Sequence, residues 1–134
     1  MPITYEIDRD RGIVYHVFTG QVGLDELERY WRTFLAEPDL PQPLALYADL
    51  RRGSLKVNGE DVQRIVQMVI EPLLRGRRWI SAAVIGSPTD YGVTKQFMVY
   101  SDQFGVTQVF YEPDEALAWI DQTVREWTKS AASD

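Results

Sequence analysis

The chain opens on alternation. Ile3, Tyr5 and Ile7 are apolar and Thr4, Glu6 and Asp8 between them are polar, the period of two of a half-buried strand. Asp8-Arg9-Asp10-Arg11-Gly12 is a polar turn that ends in glycine. Ile13 to Phe18 follows, rich in β-branched and aromatic residues, so the two runs predict a hairpin. Both sides of the second strand, Ile13/Tyr15/Val17 and Val14/His16/Phe18, are largely apolar, and Gly20 is expected to end it.

The period then changes. Leu24, Leu27, Trp31, Phe34 and Leu35 share one face of a helix. Asp25 and Glu26 lie in its first turn, where acids meet the positive end of the helix dipole. Pro38, Pro41 and Pro43 make an exit loop, and Leu44 to Leu50 is a third strand. Asn58 is placed to cap a second helix, with Asp61 three residues on, in the manner of a capping box. Val62, Ile65, Val66, Val69 and Ile70 give that helix its apolar face, and Pro72 is expected to end or kink it near Glu71.

Trp79 to Gly86 is a fourth strand. Ser87-Pro88-Thr89-Asp90 reads as the cap, first-turn proline and first-turn acid of a third helix, lined by Val93, Phe97, Tyr100 and Phe104. Gly105 fits its C-terminal turn. Val106 to Tyr111 is a fifth strand, and Glu112-Pro113-Asp114-Glu115 opens a fourth helix with Leu117, Ile120, Val124 and Trp127 toward the core. The order ββαβαβαβα predicts an α/β domain with a mixed, mostly parallel five-stranded sheet and right-handed crossovers.

Strand by strand, one sheet face reads as apolar and the other as mixed, through Thr4, Glu6, Tyr47, Ser81 and Gln108. Sheets buried on both faces read as continuous apolar runs. Helices are therefore expected on one face, with the mixed face open or covered by a second copy. Tyr47 and Ala83 are the residues from which a homodimer is expected.

Composition narrows the chemistry. With 134 residues, 45% of them apolar, the chain is long enough for one self-sufficient core, read as a single domain over residues 1–127. The small polar tail, 128–134, is expected to be disordered. There is no cysteine, which removes disulfides, thiolate zinc and thiol catalysis. It also fits a cytoplasmic address. The single histidine, His16, removes most histidine-based metal sites and triads. A net charge of −6 disfavours nucleic acid and anionic membrane surfaces. The first residues show no signal-peptide pattern, and no apolar run reaches the ~20 residues of a membrane span. No glycine-rich phosphate loop occurs. No cofactor and no metal is expected.

Three stretches carry a resemblance: Ile13-Val14-Tyr15-His16-Val17-Phe18-Thr19-Gly20, Leu46-Tyr47-Ala48-Asp49-Leu50-Arg51, and Val109-Phe110-Tyr111-Glu112 followed by Glu115-Ala116-Leu117-Ala118-Trp119-Ile120. In this order they resemble the SpoIIAA-like family of small bacterial domains, within the wider STAS class, over roughly residues 3–125. The resemblance implies a β/α superhelix with a mixed sheet, and work done by binding partners rather than by catalysis. Signalling members carry Asp-Ser-Ser-Gly before the helix that follows the third strand. The matching stretch here, Val57-Asn58-Gly59-Glu60-Asp61-Val62, has no hydroxyl, so no phosphorylation switch is expected there. Glu60 falls where the modified serine would be, and it is also simply an acid in a helix's first turn.

The candidate binding residues lie at the C-terminal edge of the parallel strands, where open α/β sheets hold ligands: Asp49, Arg51, Arg52, Asn58, Glu60, Ser87 and Thr89. Each has a structural alternative. Asp49 can accept bonds from local amides, and Ser87 and Thr89 can cap a helix. Arg75, Arg77 and Arg78 can meet a phosphate or cap a helix C-terminus. His16 pairs with no nucleophile in the sequence; Ser54, Ser81 and Ser87 are the hydroxyls in question. No catalytic residue is assigned. The expectation is a non-catalytic binding or regulatory module with a protein partner or effector. The alternative is a carrier or sensor of a small apolar molecule in a pocket between helices and sheet.

Overall fold

A computed structural model describes the backbone of residues 3–133; side chains are described except at positions 89, 90 and 130–133. Strand β1 (Ile3–Asp8) turns back on β2 (Ile13–Gly23), then come α1 (Leu24–Leu35) and β3 (Leu44–Lys56). A continuous helical rod follows, made of α2 (Gly59–Ile65), a π turn (Val66–Ile70) and α3 (Glu71–Leu74). β4 (Trp79–Val84), α4 (Pro88–Ser101), β5 (Gly105–Phe110) and α5 (Pro113–Ser133) complete the chain.

The five strands lie in sequence order, β1 antiparallel to β2 and the rest parallel. That order dictates the layers. Successive right-handed crossovers stepping in one direction must all use the same face of the sheet. α1, the α2–α3 rod and α4 accordingly share one face, over a core that includes Val14, Phe18, Leu27, Trp31, Phe34, Leu46, Ile65 and Trp79. α5 follows the last strand and makes no crossover, so the other face is open to it. It packs there, chiefly on β4, with Ala116 and Ile120 against Ile13, Ala45, Tyr47, Ala82 and Val84.

The mixed face is thus covered by the chain's own last helix rather than left bare, and its membership differs from the expectation. Leu46 pairs with Ser81 and Ser81 with Thr107, which puts Ser81 on the main core face beside Leu46. Ala83 is on that same core face, while Tyr47 is buried on the α5 side. The two residues behind the expected homodimer therefore lie on opposite faces.

Several boundaries shift. β2 and β3 run past Gly20 and Leu50 and stay paired as a ribbon, Gly20 opposite Gly53 and Val22 opposite Leu55, beyond a register shift between Val17 and Thr19. Pro72 does not end its helix. The Glu71 N–H reaches back to the Val66 carbonyl, a π spacing. This widens the rod where an α register would clash with the proline ring, so Pro72 starts the next α turn instead. Gly105 is the first residue of β5, not a helix cap. The backbone is helical to Ser133, six residues beyond Trp127, where a disordered tail was expected. Asp134 lies outside the described residues.

The capping box is formed as the sequence predicts. The Asn58 side chain accepts from the Asp61 N–H at 2.9 Å, and the Asp61 carboxylate accepts from the Asn58 N–H at 3.0 Å. Asn58→Ala is expected to cost about 1 kcal/mol, a fall in Tm of about 3–4 °C for a domain of this size, measured by thermal unfolding.

Candidate functional site

At the strand-end edge, the sequence candidates are brought only partly together. Asp49 is taken up by its own neighbour: it accepts from the Arg51 backbone N–H at 3.0 Å and from the guanidinium at 3.0 and 2.8 Å. These bonds to Arg51 hold its carboxyl below the usual range, against the opposing effect of partial burial. Asn58 is spent in the capping box and Glu60 is exposed in the first turn of α2. Arg51, Arg52 and Ser87 do share a shallow groove, with Gly20, Gln21, Gly53, Ser54 and Gly86. The side chain of Thr89 lies outside the described residues. The basic cluster after α3 is structural at Arg77, whose guanidinium donates to the carbonyls of Leu74 and Leu73 at 2.8 and 2.9 Å. Arg78 stands 5.1 Å from the Trp127 ring.

The more consequential feature is inside. A cavity of about 70 Å³ lies between the sheet and the helices of the main core. Its floor is made of small side chains in mid-strand: Ala48 on β3 and Ser81 and Ala83 on β4. Leu27 and Trp31 of α1 form one wall, and Thr94 and Phe97 of α4 belong to another. The cavity follows from the sequence. Small residues in the middle of two neighbouring strands cannot fill the depth under large aromatic side chains. α4 does not close the gap, because its buried positions include the polar Thr94 and Ser101, while Phe97 is only half-buried.

Polar atoms accompany this apolar surface. His16 Nε2, Trp31 Nε1, Trp79 Nε1 and Thr107 Oγ1 are buried without a hydrogen-bond partner among the described residues, and all four residues line the cavity. His16 is 2% exposed, Trp79 3% and Trp31 9%. The His16 ring centre is 6.1 Å from that of Trp31, which is 5.7 Å from that of Trp79, so the three rings form a continuous chain. An unpaired buried polar group costs about 1–3 kcal/mol, so these four favour an occupant that pairs with them.

His16 is fixed from behind. Its Nδ1 is hydrogen-bonded to the Tyr30 hydroxyl. Burial, with a smaller contribution from Tyr5, pushes the Tyr30 hydroxyl above the phenol range, so it keeps its proton. A protonated hydroxyl can donate to Nδ1, which leaves the ring proton on Nε2, or accept from Nδ1–H, which leaves Nε2 an acceptor. Burial lowers the His16 pKa to about 3, so the ring stays neutral and is a poor base near neutrality. Ser81 shares the cavity, but among the described residues no hydrogen bond joins it to His16. No cluster of three or more metal-ligating side chains occurs among the described residues, and no helix there is long and apolar enough to cross a membrane.

Sequence reasoning placed His16 in mid-strand without fixing the face, and assigned Trp31 to ordinary core. The usable signal was the run of small residues at alternate positions, Ala48, Ser81 and Ala83, opposite bulky aromatic side chains.

Sheet order, layers and cavity together define a β/α domain with a SpoIIAA-like fold. The chain is similar to an uncharacterised protein of the DUF3478 family with a SpoIIAA-like fold from Shewanella loihica PV-4, at 15% identity, over 88% of this chain and 91% of that one, with a TM-score of 0.55. No family model matches the sequence. No curated protein matches it.

Proposed function

We propose that this protein is a non-catalytic binding domain whose ligand is a small, mainly apolar molecule held in the cavity between α1, α4 and the sheet. The observation that carries the reading is the coincidence of apolar walls with four unpaired buried polar groups in one space. Small-molecule sites have this character: apolar lining with a few placed polar groups. The polar residues of the strand-end edge support a binding site less well, since Asp49 and Asn58 are engaged locally. His16, uncharged and without an adjacent nucleophile, supports the absence of catalysis.

The test is native mass spectrometry of the gently purified protein beside an Ala83→Leu variant. Ala83 is buried on the cavity floor, so the added methylenes enter space rather than packed atoms. The wild type is expected to carry a small-molecule adduct that the variant lacks. Stability should change by under about 1.5 kcal/mol, since filled space offsets the usual penalty of overpacking. A clean protein mass for the wild type, with a variant destabilised by about 3 kcal/mol or more, would show a closed and fully packed core.

A further inference from the structure

We infer that the ligand is a compact neutral molecule bearing acceptor oxygens, of the ketone, ester or lactone class, and that it takes its hydrogen bonds from the indoles of Trp31 and Trp79. This rests on the cavity being the ligand site. The direction of the bonds follows from the donor inventory. An indole N–H donates and cannot accept. The free Nε2 of His16 donates or accepts according to which ring nitrogen carries the proton. The Thr107 hydroxyl can serve either way. The walls therefore offer donors and ask for acceptors.

The charge follows from the lining. Among the described residues, no Lys, Arg, Asp or Glu lines the cavity. An ion there would lose its hydration without a counter-charge, which is far costlier than burying a neutral carbonyl. A plain hydrocarbon would satisfy the walls but leave the donors unpaired. The size is bounded as well. A cavity of about 70 Å³ is roughly half the ~150 Å³ of an engineered apolar cavity that admits benzene, so the part enclosed is small. The unpaired polar atoms stand on α1, β2, β4 and β5, and the strand spacing of ~4.8 Å separates His16 from Thr107 by about three strands. One oxygen cannot reach both, so a ligand with two acceptors, as in an ester or lactone, uses more of the site than a simple ketone.

The experiment is an NMR titration reading the indole N–H resonances, of which this chain has four, assigned through Trp31→Phe and Trp79→Phe. The probes are butan-2-one, 2-methylbut-1-ene, which puts a CH2 where the ketone has its oxygen, and propionate at pH 7. Saturable shifts of the Trp31 and Trp79 resonances are expected with the ketone, at an affinity at least about tenfold above that for the alkene and the carboxylate. Equal or tighter binding of the alkene would overturn the acceptor assignment and leave the apolar site standing. Equal binding of propionate would overturn neutrality. If the alkene and the ketone both leave the indoles unmoved, the cavity holds only water and the ligand-site reading falls with the inference.

Discussion

Gly105→Ala is expected to destabilise the fold by about 3 kcal/mol or more, lowering Tm by about 10 °C or preventing folding. The cause is a close approach rather than a turn. A Cβ at this position would overlap Trp79 Cδ1 and stand 2.6 Å from its Nε1 and 2.5 Å from its backbone oxygen. Gly105 and Trp79 are partners in the β4–β5 pairing, so the indole lies over the glycine and cannot retreat without moving a cavity wall. The backbone oxygen cannot retreat without opening the ladder. Overpacking ordinarily costs about 1–3 kcal/mol, and a contact against backbone belongs at or beyond the upper end. Gly92→Ala is the control. It lies within α4, where an added Cβ meets nothing within 4 Å. Exchange of an exposed helical glycine for alanine should stabilise by up to about 1 kcal/mol. Chemical denaturation of both variants measures the contrast, and a Gly105→Ala protein within 1 kcal/mol of wild type would show that β5 is free to shift.

Gly105 also shows what sequence reasoning could and could not reach. A glycine after a helical run is a good cap signal, and nothing local says that a tryptophan 26 positions earlier needs the space. Local devices were legible. The hairpin at Asp8–Gly12 and the Asn58–Asp61 box depend on neighbours in sequence, and both are present. The order of elements and the parallel sense of the later strands were legible as well, since alternating βα units call for parallel strands joined by right-handed crossovers.

The faces were not legible. Alternation divides each strand into two sets but does not say which set of one strand lies beside which set of the next. Register decides that, and a shift by one residue exchanges the faces. Ser81 looked as if it belonged with Tyr47, and its pairing with Leu46 moved it into the core. That single reassignment, with Thr107 beside it, moves Ser81 from the face under α5 to the cavity floor. The same uncertainty hid His16. The strand-end candidates failed for a different reason: Asp49 and Arg51 satisfy each other two residues apart, and Asn58 and Asp61 do so in the capping box.

Stability should fall with acidification between pH 6.5 and 5 at a little over 1 kcal/mol per pH unit, and one side chain should account for it. His16 is 2% exposed, and burial lowers its folded pKa to about 3, against an ordinary value of 6.5. Protons therefore bind the unfolded chain first. Above pH 6.5 neither state is protonated at His16, and the full stability is present. Below it the unfolded state gains a proton that the native state refuses, so stability declines steadily until the pH passes about 3. The accumulated loss is roughly 3–5 kcal/mol, a large part of what a domain of this size has. Asp49 acts in the same direction, but its depressed carboxyl places that effect at lower pH. The chain has no second histidine to share the window. The measurement is urea unfolding of wild type and His16→Gln at pH 7.0, 6.0 and 5.0. The variant loses whatever the buried imidazole contributes to packing, so the readout is the slope and not the level. The wild type should lose about 2 kcal/mol more than His16→Gln over those two pH units. Parallel slopes would mean that the imidazole accepts a proton without leaving the fold. His16 would then be reachable by water through the cavity.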